Sequence, residues 1–414
     1  MTTNRTAIIN ARILTLAGAA EPRRNHELRE LAVVDPGWII IEHERIVAIG
    51  SGSQPESDHT ISECIDATGC VVLPAFVDCH THACWAGNRL DEFDQKLAGV
   101  DYLTILQSGG GIMSTVRNTR AATEEQLRDG LLDRLHQMSQ LGTGTVEVKS
   151  GYGLDTETEL KMLRAIAAAA DRSALRIVPT FLGAHAVDPD NPTCIEGITH
   201  ETLPAVATEF PGINVDAYCE QGAWSLNDCR TYFEQAQRLG SPIRVHADQF
   251  NSLGMTHLAV DMNARSVDHL EAATPSDLLH LAHSETIGVM LPVCGFHLDG
   301  RYAAARTFID AGGALALASN YNPGSAPSPS LLFVMNLAVR NMGMTPHEAI
   351  MAVTFNAACV LDMQHEIGSL EVGKRADLQV YATRDERELA YDIAAPGPAV
   401  LMLDGRVMFN RMLA

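Results

Sequence analysis

The stretch Phe76-Val77-Asp78-Cys79-His80-Thr81-His82 ends an apolar run that begins at Val71. In an extended strand, the side chains of residues i and i+2 lie on the same face. His80 and His82 therefore point to the same side at the C-terminal end of the predicted strand. Two neutral imidazoles in this arrangement suit Zn²⁺ or Fe²⁺, which need further ligands from elsewhere in the fold. The motif alone is also compatible with two ordinary polar histidines.

The rest of the chain supplies a context for this strand. Strand-like and helix-like segments alternate from Val71 onward, which is typical of βα units around a parallel sheet. We therefore predict an α/β fold with a (β/α)₈ TIM-like barrel over residues 73–363, whose active site lies at the C-terminal ends of the strands. The predicted strands are Val71–Cys79, Thr145–Lys149, Arg176–Leu182, Asn214–Cys219, Ile243–Ala247, Ser266–His269, Ile287–Leu291 and Ala314–Ala318. The clearest predicted helices are Glu124–Leu141, Glu157–Ala170, Leu226–Leu239 and Pro275–Ala282.

Both ends of the chain have a different pattern. Short β-branched runs broken by Gly, Asp and Pro fill residues 1–72 and return in residues 364–414. These two segments predict one small β-sandwich domain built from both termini. The long insertion from Ala83 to about Thr123 is a candidate loop over the substrate.

Composition limits the classes of function. The 414 residues carry a formal net charge of −21, which argues against nucleic acid and anionic membranes as partners. Nine cysteines without CxxC spacing favour reduced thiols, and we expect a cytoplasmic protein. No unbroken apolar run approaches the length of a transmembrane helix.

Polar or ionisable residues follow each of the eight predicted strands. In a barrel these positions converge on one pocket at the rim, so the joint pattern favours an enzyme. The segments at the exits are His80–His82, Lys149–Gly153, Gly183–His185, Glu220, His246–Gln249, Asp268–Glu271, Pro292–Cys294 and Ser319–Ser325.

Several longer motifs carry a family resemblance over most of the chain. They are Asp78-Cys79-His80-Thr81-His82, Ala86-Gly87-Asn88-Arg89, Gly109–Arg117, Val146–Leu154, Phe181–Val187, Val267–Leu270, Asn322-Pro323-Gly324-Ser325 and Gly368–Asp377. With these motifs the sequence resembles the imidazolonepropionase family of the amidohydrolase superfamily. The resemblance implies a barrel that opens the ring of 4-imidazolone-5-propanoate to N-formimidoyl-L-glutamate, a step of histidine degradation, with a metal-activated water.

The resemblance also implies a set of site residues. It places one mononuclear Zn²⁺ or Fe site on His80, His82, His246 and Asn320. It assigns His269, Gln249 and Asn320 to catalysis, with His269 beside the reacting carbonyl. The substrate-contacting positions are Arg89, Tyr102, Tyr152, His185, Gln249, Asn322, Gly324 and Ser325. The expected partners are a small-molecule carboxylate substrate, held through the planar guanidinium of Arg89, and a second copy of the chain in a homodimer.

Three positions depart from the family pattern. Asn320 stands where the family has a metal-binding aspartate, and an amide is a weaker ligand that cannot act as a base. Gln249 stands where some members carry glutamate, so it can orient the ring but cannot move a proton. Cys294 lies where an aromatic pair is more common. We assign no catalytic role to Cys294 or Cys84.

These departures leave three hypotheses open. The first is hydrolysis of 4-imidazolone-5-propanoate. The second is hydrolysis of a related thio- or N-methyl-substituted imidazolone or hydantoin propanoate. The third is a protein that binds its ligand but has lost turnover at Asn320. Turnover assays on a panel of rings separate all three.

Overall fold

The computed structural model describes residues 5–55, 61–100 and 110–412. Two sheets organise the described residues, a parallel central sheet and a mixed sheet from both ends of the chain. No helix in these ranges is both long and apolar enough to cross a membrane. In chain order the strands are β1 (Arg5–Leu14), β2 (Val33–Glu42), β3 (Arg45–Ser51), β4 (Ile61–Asp66), β5 (Val71–Pro74), β6 (Phe76–Asp78), β7 (Thr143–Lys149), β8 (Arg176–Ala184), β9 (Asn214–Cys219), β10 (Val245–Ala247), β11 (Ser266–His269), β12 (Ile287–Met290), β13 (Leu315–Leu317), β14 (Leu378–Tyr381), β15 (Val400–Leu403) and β16 (Arg406–Asn410).

The central sheet is a closed barrel. Strands β6 to β13 are parallel and hydrogen-bond to one another in chain order. Just beyond its two edge strands, Thr81 forms a parallel bridge with Tyr321. The amide of Asn320 donates to the carbonyl of His80 at 3.0 Å, and the amide of His82 donates to the carbonyl of Tyr321 at 3.0 Å. The predicted eight-stranded barrel is confirmed.

Helices separate the barrel strands and begin at polar caps. Thr123 accepts from the backbone N–H of Gln126, and Thr274 accepts from that of Asp277, which satisfies donors that a helix start leaves free. Each of the four helices predicted from the sequence begins and ends within one residue of the bounds in the structure. The helices are Leu90–Leu97, Ile112–Ala121, Glu124–Gln140, Thr156–Ala170, Cys194–Gly197, Leu203–Glu209, Leu226–Arg238, Met255–Asp261, Pro275–Ala282, Pro292–His297, Ala305–Asp310, Leu331–Asn341, Pro346–Ala352, Phe355–Val360 and Glu388–Tyr391, with a 3₁₀ turn at Asn25–Arg29 and a π turn at Ile198–Thr202.

The second sheet joins the two ends of the chain. The order is β16-β15-β14-β5-β1-β2-β3, and β4 also pairs with β1, so the strands that we assigned to a small β-sandwich form one branched sheet. Buried residues from both termini, among them Ile8, Ile39, Leu378 and Met402, form its separate apolar core. The predicted small β-domain from both ends of the chain is confirmed.

The predicted strand Val71–Cys79 is two strands. Val71–Pro74 pairs with β14 and β1 of the terminal sheet, whereas Phe76–Asp78 pairs with β7 of the barrel. The change of partner occurs at Ala75, whose amide donates to the carbonyl of Asp377 at 3.0 Å. The predicted domain boundary after residue 72 therefore stays a prediction. Strand β5 of the terminal sheet extends past this position to Pro74.

Candidate metal centre and substrate pocket

Three buried histidines meet inside the rim of the barrel. His80 and His82 follow β6, and His246 lies in β10 on the far side of the sheet. One ring nitrogen from each lies within 4.8 Å of the other two. The Nε2 atoms of His82 and His246 are 3.2 Å apart. The three histidines of the predicted metal site are therefore close together in the structure, although they come from two different parts of the chain.

Carboxylates bonded to two of these rings determine which ring nitrogen carries the proton. Nδ1 of His80 lies 2.6 Å from Asp268 Oδ2, and Nδ1 of His246 lies 3.1 Å from Asp216 Oδ1. A carboxylate accepts the Nδ1 proton, so Nε2 of each ring presents a lone pair to the centre. Burial lowers the pKa of His246 to about 4 and that of His80 well below its ordinary value, so both rings are neutral ligands at pH 7.

These observations fit a bound divalent cation. Nε2 of His80 and Oδ1 of Asn320 are buried and have no hydrogen-bond partner among the described residues. The 3.2 Å between the Nε2 atoms of His82 and His246 is close to the edge of a tetrahedral zinc site, which is about 3.3 Å for zinc–nitrogen bonds of ~2.0 Å. Either a proton or a cation between the two nitrogens accounts for this separation. The residues present therefore suit a metal ion.

The carboxylates behind the histidines belong to one ion-pair network that fills the barrel. Arg244 lies 2.8 Å from Asp268 and 3.3 Å from Glu147, and Lys149 lies 2.6 Å from Glu147 and 2.8 Å from Asp216. All five side chains are fully buried. Although burial opposes the charge, His246, Lys149 and Arg244 hold the pKa of Asp216 well below its usual range. The sequence analysis grouped Lys149 with the rim, whereas its ammonium group lies inside the barrel.

Asn320 lies where the last barrel strand meets the first. Its backbone has φ of 54°, which few residues other than glycine adopt, and its amide is bonded to the carbonyl of His80. The side-chain amide of Asn322 donates to the carbonyl of Asn320 at 2.6 Å. Neighbouring Ser319 donates its backbone N–H to Asp78 at 3.1 Å. These contacts fix the backbone of Asn320 beside that of His80, and its buried side chain is neutral.

Two residues of the predicted substrate pocket, one stacked and one tilted, lie against the rings of the histidine cluster. The His185 and His82 rings are stacked with centroids 4.8 Å apart, and Tyr152 lies 5.3 Å from His185. Nδ1 of His185 lies 2.9 Å from the carbonyl of Gly151. Burial lowers the pKa of His185 to about 4, so the ring is neutral and Nδ1 is its donor. Its Nε2 is then left as an acceptor.

The predicted carboxylate-binding residue lies against the loop after the last barrel strand. A Cβ at Gly324 would lie 3.2 Å from Nη1 of Arg89, a tight contact, so the guanidinium lies close against this loop. Asn322 holds this loop by accepting from the amides of Gly324 and Ser325 at 2.8 and 2.7 Å. The guanidinium also donates to Glu92. A substrate carboxylate must therefore share Arg89 with Glu92.

A second group of metal-ligating side chains adjoins the histidine centre. Nδ1 of His269 lies 3.2 Å from both carboxylate oxygens of Glu271, and the Nε2 amide of Gln249 donates to Sγ of Cys294 at 3.2 Å. Ligand atoms of His269, Glu271 and Cys294 lie within 4.8 Å of one another. Sequence reasoning named His269 and Gln249 but gave Glu271 and Cys294 no role. Their positions at the exits of β11 and β12 were the available signal.

Backbone strain marks the same rim. Asp248, His269, Leu270 and Asn320 all have φ between 54° and 90°. Side-chain-bearing residues adopt this region rarely, and such strain is concentrated at functional sites. Tyr102, the remaining predicted substrate contact, lies outside the described residues.

Comparisons with known proteins agree with this geometry. The amidohydrolase family model matches residues 71–408. The chain is 41% identical over 410 residues to an imidazolonepropionase of Herpetosiphon aurantiacus, with 96% of each protein covered. It is 42% identical over 412 residues to an imidazolonepropionase of Symbiobacterium thermophilum, with 96% of this chain and 95% of the relative covered.

Solved structures share the fold at low identity. A 5-methylcytosine deaminase from Klebsiella pneumoniae matches with a TM-score of 0.75 and 17% identity over 98% of this chain and 97% of its own. A mutant atrazine chlorohydrolase from Arthrobacter aurescens, complexed with zinc, matches with a TM-score of 0.70 and 16% identity over 98% and 95% of the two chains. At these identities the likeness concerns the fold alone.

Proposed function

The chain belongs to the amidohydrolase family and, within it, groups with the imidazolonepropionases, and from this premise we propose that it hydrolyses 4-imidazolone-5-propanoate to N-formimidoyl-L-glutamate. The observation that carries the proposal is the convergence of three buried imidazoles on one point at the barrel rim, with the Arg89 guanidinium beside Gly324 in the loop after the last barrel strand. A ring with a carboxylate arm spans these two features.

The chain's own residues bind and orient the substrate. Arg89 holds the propanoate through charge-assisted hydrogen bonds, for which the substrate competes with Glu92. The imidazolone ring lies near the stacked rings of His82 and His185, where Nε2 of His185 accepts a hydrogen bond from a ring N–H. His269, whose ring centroid is 5.4 Å from that of His246, donates to the carbonyl oxygen as it gains charge.

The metal site supplies the remaining chemistry. His80, His82, His246 and Oδ1 of Asn320 would hold a zinc or iron ion, which polarises the carbonyl and lowers the pKa of water. Asn320 has no carboxylate with which to take the proton of that water. We therefore propose that the chain binds its substrate with the affinity usual for such a pocket but turns it over slowly.

The test of this proposal is the pair Asn320→Asp and Asn320→Ala, measured against the unchanged chain. General-base assistance typically contributes about 10²–10⁴-fold to rate, so Asn320→Asp should raise kcat by that amount with little change in KM. Asn320→Ala removes the amide oxygen and should weaken metal binding without any gain in rate. Equal kcat values for Asn320 and Asn320→Asp would show that this chain uses another base.

One contact favours a second candidate. The Gln249 amide donates to Cys294 at 3.2 Å. Both residues depart from the family pattern, so the groups that would contact the substrate ring differ from those of the family. A thio- or N-methyl-substituted imidazolone or hydantoin propanoate would keep the Arg89 contact and meet this altered pair. Turnover of such a ring by the unchanged chain, faster than turnover of 4-imidazolone-5-propanoate, would favour the second candidate.

A further inference from the structure

Cys294, His269 and Glu271 form a group that the proposed hydrolysis leaves partly unexplained. Their side chains are almost fully buried, with 6% of the Glu271 side chain and 3% of the His269 side chain exposed. One ligand atom from each lies within 4.8 Å of the other two. The group therefore offers nitrogen, sulfur and oxygen to a single point.

The spacing suits a small cation. The 3.2 Å between His269 Nδ1 and each Glu271 oxygen matches the ~3.3 Å edge expected for nitrogen and oxygen ligands around tetrahedral zinc. Three protein ligands also match the count of an open zinc site, whose fourth position is left to water or substrate. Here that position faces a small cleft lined by Phe250, Leu298 and Arg301.

The sulfur of Cys294 accepts a hydrogen bond from its neighbour. Gln249 donates an amide proton to Sγ at 3.2 Å, so the sulfur acts as the acceptor. A carboxylate at position 249 would instead repel a thiolate, so the two departures at 249 and 294 complement each other. Arg301, the cation nearest the cleft, pairs with Asp299 at 2.8 Å and donates to the carbonyl of Phe250. Arg301 therefore has hydrogen-bond partners of its own, and Glu271 and Cys294 line the cleft together.

We propose that Cys294, His269 and Glu271 bind a second, thiophilic divalent cation such as Zn²⁺ beside the three-histidine site. This site lies beyond the proposed hydrolysis, which needs one cation, and it would make the centre binuclear. Binding displaces the proton shared by His269 and its neighbours, because metal ligands must be deprotonated.

Cobalt tests the proposal without any turnover. The histidine site contains no sulfur, so a thiolate-to-cobalt charge-transfer absorption in the near ultraviolet reports only the second site. The metal-free full chain titrated with Co²⁺ should bind two equivalents and develop this absorption. Cys294→Ser should bind one equivalent and lack it, whereas His80→Ala should bind one equivalent and retain it.

A matched control guards against nonspecific binding and misfolding. Cys84 is fully buried close to the His80–His82 motif, and burial raises the pKa of its thiol to about 12, so Cys84→Ser should leave both the stoichiometry and the absorption unchanged. Glu271→Gln keeps the shape of the side chain and should weaken the second equivalent at least tenfold. One equivalent with no absorption in the unchanged chain, or an absorption that survives in Cys294→Ser, would overturn the proposal. Neither result depends on whether the enzyme hydrolyses imidazolone.

Discussion

The carboxylate behind His80 gives the sharpest test of how the barrel interior serves the metal site. Oδ2 of Asp268 accepts from His80 Nδ1 at 2.6 Å and from Arg244 Nη2 at 2.8 Å. Asp268→Asn can keep an oxygen in this position, so both bonds survive and only the charge is lost. The substitution therefore separates electrostatics from shape.

Two magnitudes follow from these contacts. Replacing a carboxylate behind a metal-binding histidine weakens metal affinity by about 10–100-fold, which is about 1.4–2.8 kcal/mol. Charge-assisted hydrogen bonds are about twice as strong as neutral ones, so the two bonds together should lose about 2 kcal/mol of unfolding free energy. Asp268→Ala should cost about 3–5 kcal/mol, because it removes a partner of buried Arg244.

The assay is competition for Zn²⁺ against a chelator of known affinity, combined with urea unfolding of the metal-free chain. Asp216→Asn is a matched second variant, because the Asp216 carboxylate lies 3.1 Å from Nδ1 of His246 and pairs with Lys149 in the same network. Both amide variants should bind zinc more weakly. A metal affinity unchanged in Asp268→Asn, with stability lowered, would refute the reasoning and leave Asp268 as a barrel residue only.

Three further predictions use other parts of the site. His80→Ala should lose the histidine-bound cation by elemental analysis while its circular dichroism is retained; full occupancy would exclude His80 as a ligand. Arg89→Lys should lower kcat/KM at least tenfold, since losing a charged hydrogen bond costs about 1.5–3 kcal/mol. Glu92→Gln should lower KM, because it frees the Arg89 guanidinium for the substrate carboxylate. An unchanged KM would contradict the competition between Glu92 and the substrate. Burial raises the pKa of Asp78 to about 7 in the folded chain. Asp78 therefore contributes to the unfolding free energy of the metal-free chain in full below about pH 4, and this contribution should be lost as the pH rises through 7. Asp78→Asn should flatten this dependence in unfolding experiments, and an unaltered slope would assign it elsewhere.

Local patterns were sufficient to predict the barrel and its histidines. Alternation placed His80 and His82 on one face, and the periodicity of the apolar residues located helices such as Pro275–Ala282 to the residue. Both properties depend on neighbours in the sequence, which the chain itself displays. The break inside Val71–Cys79 was not predictable in this way, because the apolar run continues while its hydrogen-bond partner changes at Ala75.

Pairings across the barrel were beyond local patterns as well. Lys149 is the last residue of its strand and was predicted to lie at the rim, yet its ammonium group pairs with Glu147 and Asp216 in the interior. Glu271 and Cys294 follow different strands, and no spacing in the sequence links them. Such contacts exist only once the barrel has closed, so they had to be read from the three-dimensional structure.

The joint between β6 and β13 has a consequence for how the protein is made. A ribosome that has just completed His246 has already synthesised all three histidines of the metal centre. The backbone of His80 and His82 still lacks its partners, because those are the amide of Asn320 and the carbonyl of Tyr321. Domains fold as units during synthesis, so the ion can be captured in its final geometry only after residue 321 has left the exit tunnel. Any metal ion that the three histidines hold would therefore be loaded late in biogenesis, and a chain truncated before β13 should emerge without the complete site.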